Sequence, residues 1–163
     1  MVSVCFYFQL HQPIRLRKYS VFEIGHHNGY FDDAKNEAII KKVTHKCYLP
    51  TNKIILDLIN KTDGKFKVAY SMTGIVLEQL ERFAPEVIDS FKQLVDTGSV
   101  EILDETYHHT LSFLYSKEEF KEQVELHNKK IRQLFNYKPK VFRNTELVYN
   151  NEIAAFVEKK GYK

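Results

Sequence analysis

The sequence has no tryptophan and few cysteines, prolines and glycines, which number two, four and six among 163 residues. Two cysteines cannot form a disulfide framework, and Cys5 lies in an apolar run, so we expect it to be a small buried hydrophobe. No apolar run approaches the roughly 20 residues that span a bilayer. The N-terminus also lacks the charged region and small-residue cleavage site of a signal peptide. These absences predict a reducing, cytoplasmic environment.

The sequence also lacks a large excess of charge of one sign. The chain has 24 basic and 21 acidic residues, with a net charge of +3. They are interleaved, and the longest basic cluster, residues 15–18, is short and typical of a solvated loop. We therefore expect neither a nucleic-acid nor a membrane partner. With 44% hydrophobic residues the chain can bury a core, and its length fits a single domain over residues 1–163.

Apolar periodicity predicts that strands alternate with helices along the chain. The predicted strands cover residues 2–10, 66–72, 100–103 and 140–143. The predicted helices cover residues 36–46 and 152–160, and others begin near Thr51, Gly74, Pro85 and Ser116. This order is typical of an α/β protein whose parallel strands are joined by helical crossovers. Four such strands correspond to the first half of a barrel.

Local signals predict where three of these helices start. Thr51 has the side chain of an N-cap, Pro85 suits a first helical position, and residues 116–119 (Ser-Lys-Glu-Glu) form a capping box. After Gly161 the pattern calls for a further strand. An incomplete barrel leaves an exposed edge strand, so we expect partial unfolding, self-association or binding of a complementary fragment.

Polar side chains follow the first and last predicted strands. Residues 11–13 (His-Gln-Pro) end the first strand, and Glu146 follows the fourth strand just before a helix. Carboxylates at the C-terminal ends of strands are where α/β barrels keep their catalytic groups. The two strand ends therefore predict one shared pocket, where nearby tyrosine rings either pack in the core or stack on a sugar.

Each candidate also has a plain structural interpretation. Glu146 could form a surface ion pair, and His11 could be a structural histidine. Glu101 alternates with apolar neighbours in the third strand, so it either faces a barrel interior or is a buried structural acid. His127 lies on the apolar stripe of a helix and is expected in the core, whereas the residues 26–27 (His-His) are expected to face solvent.

Asp104, His108 and His109 invite a metal interpretation, because Asp and His four residues apart can share a helix face. The sequence has no His-Glu-x-x-His and no paired Cys-x-x-Cys, so we expect no metal and no cofactor. Phosphate-loop, dinucleotide-binding and G-x-S-x-G motifs are absent too, which leaves nucleotide binding and serine-hydrolase chemistry unsupported. The residues alone predict an α/β half-barrel with an acid-and-histidine pocket.

Three motifs, taken in order, resemble those of glycoside hydrolase family 57, the α-amylase and 4-α-glucanotransferase family. They are residues 11–13, 98–101 (Gly-Ser-Val-Glu) and 142–149 (Phe-Arg-Asn-Thr-Glu-Leu-Val-Tyr), and residues 71–74 and His109 also fit. The resemblance covers essentially the whole chain and implies the N-terminal portion of a distorted (β/α)7 barrel, with parallel strands, helical crossovers and an incomplete barrel.

The resemblance also implies a retaining enzyme that acts on an α-glucan or maltooligosaccharide. Glu146 takes the position of the nucleophile. His11 takes the position that lines the sugar subsite beside the scissile bond, and Gln12, Glu101 and His109 are expected to contact substrate.

The implied site is incomplete. Retention requires two carboxyl groups about 5–5.5 Å apart, and the family's acid/base is an aspartate of a later motif, which would lie beyond residue 163. The helical domain that completes the cleft would lie there too. We therefore expect the isolated chain to be inactive and to need a complementary C-terminal fragment or the missing remainder.

Two other interpretations remain open at this point. The chain could be a catalytically silent remnant that folds or binds sugar without cleaving it. It could also be a metal-dependent polysaccharide deacetylase, a family with a related barrel. That family usually has an Asp pair after strand one and His-[Ser/Thr]-x-x-His after a later strand, and neither occurs here.

Overall fold

A parallel three-stranded sheet organises the protein in the computed structural model, which describes residues 4–26 and 29–163. The strands are β1 (Phe6–Leu10), β2 (Val68–Met72) and β3 (Val100–Leu103), in the order β1-β2-β3. Leu10 pairs with Met72, and Ser71 pairs with Leu103. The carboxyl ends of all three strands therefore meet at one edge of the sheet.

Six α-helices occur within the described ranges. They are α1 (Asp33–Val43), α2 (Leu49–Lys61), α3 (Gly74–Phe83), α4 (Pro85–Asp96), α5 (Lys117–Phe135) and α6 (Asn151–Lys159). Short 3-10 turns lie at Val21–Glu23, Ser112–Leu114 and Thr145–Leu147. The predicted α/β class, with parallel strands, helical crossovers and an incomplete barrel, is confirmed.

The main core lies between the sheet and helices α1 to α4, with the C-terminal part of α5. All five residues of β2 are buried, because this central strand is paired on both sides and covered by helices. Tyr70, Phe91 and Leu77 are among its largest buried side chains. Complete burial of a side chain of this kind stabilises the fold by about 1.5–3 kcal/mol. A second core, centred on Phe120 and Ile153, joins α5 to α6.

Strand β1 is more exposed than predicted. It has a strand neighbour on one side, β2, and Phe6 and Tyr7 are 48% and 38% exposed. Cys5, predicted to be buried, is exposed because it precedes β1 at this open edge of the sheet. The predicted strand began at residue 2, and residues 1–3 lie outside the described residues.

The predicted fourth strand, residues 140–143, is an isolated parallel bridge between Asp104 and Phe142. The Asp104 N–H donates to the Val141 carbonyl, and the Arg143 N–H donates to the Asp104 carbonyl, both at 2.9 Å. The pairing therefore has the predicted place beside β3 but not the predicted length. Pro139 has no N–H to extend the pairing, and the chain turns away before Thr145.

Thr51 is not an N-cap. Helix α1 continues through a π-helical segment, Thr44–Tyr48, directly into α2, so Thr51 lies inside a helix. Pro50 lies in the first turn of α2, directly after this π-helical segment. The other two predicted starts hold. Pro85 begins α4, and the Ser116 side chain accepts the Glu119 N–H at 3.2 Å, although the Glu119 carboxylate bonds Gln123 rather than closing the box.

Gly74 fixes the loop that follows β3 against the sheet. A Cβ at this position would lie 2.3 Å from the Tyr107 ring, so a glycine is required for that ring to pack on the start of α3. The Tyr107 hydroxyl donates to Glu78 of α3 at 2.5 Å. The loop is thereby anchored directly above the carboxyl edge of the sheet.

Candidate active site at the carboxyl edge of the sheet

His11 follows β1 and is half-buried at the carboxyl edge. Its Nδ1 lies 3.0 Å from Oγ1 of Thr73, which follows β2 and caps α3 by accepting the Val76 N–H. The Thr73 N–H in turn donates to the Leu10 carbonyl at 3.2 Å. The ends of two adjacent strands thus fix the position of the imidazole.

His109 and Glu146 complete the same edge. The His109 ring stacks on His11 with 4.2 Å between centroids and 22° between planes. Its Nε2 lies 2.9 Å from Oε1 of Glu146. The structure therefore brings together three of the residues that the sequence singled out, from three separate loops.

Glu146 has a strained backbone. Its φ of 54° and ψ of 20° are left-handed values, which a long side chain rarely adopts. Such strain costs about 1–3 kcal/mol and persists where surrounding contacts impose it. Here the buried Thr145 hydroxyl lies 2.7 Å from that of Thr106, and the Asn144 side chain donates to the Val148 carbonyl at 2.7 Å. These contacts hold the Glu146 side chain outward, where it is 65% exposed.

Glu105 is a site residue that the sequence reasoning did not single out. It lies just after β3 and is completely buried. The Ser71 hydroxyl donates to its Oε1, while Oε2 has no hydrogen bond and lies 3.7 Å from Nδ1 of His109. The rule that selected Glu146, a carboxylate at a strand end, applies equally to Glu105. We call His11, Glu105, His109 and Glu146 the edge cluster.

The two stacked histidines have opposite pKa shifts. Glu105 raises the pKa of His109, and Glu146 raises it further. Their combined effect outweighs the partial burial of His109, which lowers this pKa. Burial lowers the pKa of His11, and the neighbouring His109 lowers it further. The site therefore favours a protonated His109 that faces Glu146 and a neutral His11 beneath it.

A second buried pair supports the end of β3. Nδ1 of His127 lies 2.5 Å from Oδ1 of Asp104, and its Nε2 lies 2.7 Å from the Met72 carbonyl. Asn128 and the Tyr162 hydroxyl donate to the other Asp104 oxygen. His127 is buried in the core as predicted, and there it pairs with the Asp104 carboxylate.

Protonation of His127 follows from its partners. A carbonyl and a carboxylate both accept, so the ring donates from both nitrogens. Burial alone would lower the pKa of His127, but the hydrogen bond and charge of Asp104 raise it. Since Asp104 immediately precedes Glu105, this pair fixes the backbone beneath the edge cluster.

Gln12 lies beside the edge cluster, whereas Glu101 lies at the other end of the sheet. Gln12 is next to His11, and its side chain accepts from Arg15 at 2.9 Å while its carbonyl accepts from Gln79 at 2.6 Å. Glu101 pairs in register with Ala69 and lines a cavity of about 530 Å³ with Lys67 near the amino ends of the strands. The structure therefore does not bring Glu101 to the edge cluster.

The three residues considered for a metal site, Asp104, His108 and His109, do not lie together. Asp104 faces the buried His127, His108 is exposed with its ring against Tyr107, and His109 faces the edge cluster. Within residues 4–26 and 29–163, no three His, Cys, Asp or Glu side chains are arranged to hold a metal ion. His26 is exposed, as predicted, and His27 lies outside the described residues.

The model of the family described as "Glycosyl hydrolase family 57" matches residues 5–163. The chain belongs to this family. A Methanocaldococcus jannaschii protein named "Putative alpha-amylase" is 46% identical over 98% of this chain and 34% of its own length. A Pyrococcus horikoshii protein named "Alpha-amylase" is 29% identical over 77% of this chain and 19% of its own. This family 57 chain therefore spans about a third or less of the length of these relatives.

Solved structures support the same fold. The 4-alpha-glucanotransferase from Thermococcus litoralis matches 98% of this chain and 21% of its own, with a TM-score of 0.72 and 21% identity. A family 4 carbohydrate esterase pseudoenzyme from Bacillus anthracis matches 71% of this chain and 36% of its own, with a TM-score of 0.52 and 23% identity. The fold of this family 57 chain is thus shared with carbohydrate esterases, so fold alone does not choose between the two chemistries. No helix among the described residues has the length and apolarity of a bilayer crossing.

Proposed function

We propose that the chain is the N-terminal part of a retaining, α-amylase-like glycoside hydrolase that acts on an α-glucan or maltooligosaccharide, with Glu146 as its nucleophile. The observation that carries the proposal is the presentation of Glu146 on a strained, buttressed turn, with its carboxylate bonded to His109 at 2.9 Å. Membership of family 57 and the α-amylase names of the two relatives support the substrate class.

In this mechanism Glu146 attacks the anomeric carbon as the glycosidic bond breaks, which forms a glycosyl ester. The acid/base protonates the departing oxygen and then activates the water that releases the sugar. A protonated His109 donates from Nε2 to the Glu146 carboxylate and so holds it in position before the attack.

His11 is the proposed sugar contact. Its Nδ1 is engaged by Thr73, which orients the ring at the carboxyl edge. A neutral imidazole there can hydrogen-bond a hydroxyl of the sugar beside the scissile bond. Gln12 and His109 belong to the same proposed subsite. The proposed contact from Glu101 has no support from its position at the other end of the sheet.

The acid/base is proposed to come from polypeptide outside the 163 residues, with the rest of the barrel. Glu105 does not fill this role, because it is completely buried and cannot touch a sugar. The relatives are about three times longer or more, which leaves room for the remaining strands and the acid.

The test is a reconstitution. The chain is assayed on soluble starch and maltooligosaccharides alone, and then with a fragment of the Methanocaldococcus jannaschii relative that follows the matched region. We expect cleavage only in the mixture, since general acid catalysis contributes about 10²- to 10⁴-fold. Robust cleavage by the chain alone would mean that it contains its own acid. A mixture that assembles and binds glucan without cleaving it would instead identify a silent, sugar-binding remnant.

A further inference from the structure

Two unpaired buried atoms face each other inside the edge cluster. Oε2 of Glu105 has no hydrogen-bond donor, and Nδ1 of His109 has no acceptor, although both are shielded from solvent. They lie 3.7 Å apart, slightly beyond a hydrogen bond. Burying such groups unpaired is unfavourable, so a small rotation of the His109 ring would satisfy both atoms at once.

The other oxygen of Glu105 is fixed. It accepts from the hydroxyl of Ser71, a completely buried residue of the central strand β2. This bond aims the free oxygen at His109. The opposite ring nitrogen of His109 lies 2.9 Å from Glu146. The buried Glu105 carboxylate, the His109 imidazole and the exposed Glu146 carboxylate therefore lie next to one another in that order.

We infer that Glu105 is a positioning residue that accepts a hydrogen bond from the Nδ1–H of His109 and thereby keeps the Nε2–H directed at Glu146. The inference rests on the proposed role of Glu146 as nucleophile. No proton moves in this arrangement. Glu105 stabilises the charge on the imidazole, and the Nε2–H of the imidazole holds the Glu146 carboxylate in the orientation from which it attacks.

Three further groups act on this array. His11 stacks on the other face of His109 and remains neutral beside that charge. Tyr7 of β1 is near Glu105, which adds to the effect of burial in raising the pKa of Tyr7. Arg143 lies 5.7 Å from the centre of the Tyr7 ring. Arg143 offers only donors, and the nitrogen lone pairs of His11 lie in the plane of a ring that stacks on His109, so Glu105 is the expected partner of Nδ1.

The test is a histidine titration by NMR on the chain labelled with ¹⁵N at its imidazoles. In the native chain we expect His109 to titrate above the ordinary value of about 6.5, with Nδ1 and Nε2 both protonated below its midpoint. Glu105→Gln keeps the shape and removes the charge, and should bring the His109 midpoint down to or below that ordinary value. Glu101→Gln removes the same charge from the other end of the sheet and should leave the His109 midpoint in place.

Glu146→Gln provides a second measurement that does not disturb the core, because this side chain is exposed. His109 should keep a raised midpoint and a protonated Nδ1 in that variant, since Glu105 remains. A His109 midpoint that is unchanged in Glu105→Gln, or that falls to the ordinary value in Glu146→Gln, would overturn the inference. The titration requires no turnover, so its outcome is separate from that of the reconstitution assay.

Discussion

Glu146 is the central residue of the proposed site, and its neighbours explain its backbone conformation and the position of its carboxylate. The exposed carboxylate is held by His109, while buried Thr145 and Asn144 impose the left-handed backbone. Sequence reasoning selected Glu146 because a carboxylate at a strand end is easily recognised. It passed over Glu105, since burial and the bond from Ser71 follow from strand register, which a single sequence does not contain.

Replacement of Glu146 tests the nucleophile directly. Glu146→Gln removes the carboxylate that attacks the sugar. Turnover of the reconstituted enzyme should therefore fall by on the order of 10⁴-fold or more. The exposed side chain carries little of the packing, so the thermal midpoint should be nearly unchanged. Glu152→Gln, another exposed glutamate, in α6, is the matched control and should keep the native rate. Near-full activity of Glu146→Gln would refute the assignment.

His11 should matter for catalysis more than for folding. A sugar contact that strengthens in the transition state lowers kcat as well as binding when it is lost. We expect His11→Ala to reduce kcat/KM of the reconstituted enzyme by about 10- to 1000-fold, or about 1.4–4 kcal/mol. The measurements are steady-state kinetics and thermal unfolding of the same variant. A loss of stability with unchanged kinetics would instead make His11 a structural histidine.

At the scale of secondary-structure elements, the positions of the strands along the chain were easier to predict than their lengths. Strands β2 and β3 are close to their predicted limits, because their mostly buried residues leave a clear pattern in the sequence. The fourth predicted strand is a single bridge at Phe142 and the two helices around Pro50 form one helical run, because tertiary contacts decide both. The Asp104–His127 pair was missed for the same reason, since its partners lie 23 residues apart.

That pair predicts a pH dependence of folding. The pKa of His127 is raised in the folded chain above its ordinary value of about 6.5. Its stabilising contribution is therefore complete below about pH 6.5 and is lost as pH rises through the folded-state pKa. The free energy of unfolding from urea titrations should fall across this alkaline window, by at most about 1.4 kcal/mol per pH unit for this one proton.

His127→Gln is the variant that isolates this effect. It should be less stable at neutral pH by about 3–5 kcal/mol, because Asp104 is left buried without its partner, and it should lose most of the alkaline slope. His109→Gln, which removes the other histidine of raised pKa, should keep the slope from His127. A native chain whose stability is flat between pH 6.5 and pH 9 would contradict the charged pair.

For the whole molecule, the open edge at β1 connects fold to function. Phe6 and Tyr7 remain half-exposed beside unpaired backbone, as an incomplete barrel requires. The α/β class and the family follow from sequence because motif order and spacing survive as local pattern. The shared pocket of His11 and Glu146 was predicted from their strand ends, whereas the stacking of His109 on His11 and its contact with Glu146 depend on the register of β1, β2 and β3 in the folded chain.

The central claim is that these residues supply the covalent nucleophile of a site completed by polypeptide outside the 163 residues. Trapping the glycosyl-enzyme tests it most directly. The reconstituted mixture is incubated with a fluorinated maltosyl fluoride, whose leaving group needs little acid assistance, and the labelled peptide is located by mass spectrometry. The account predicts one sugar esterified to Glu146, and none in Glu146→Gln. A stable label on another carboxylate, or turnover of substrate without any covalent intermediate, would contradict it.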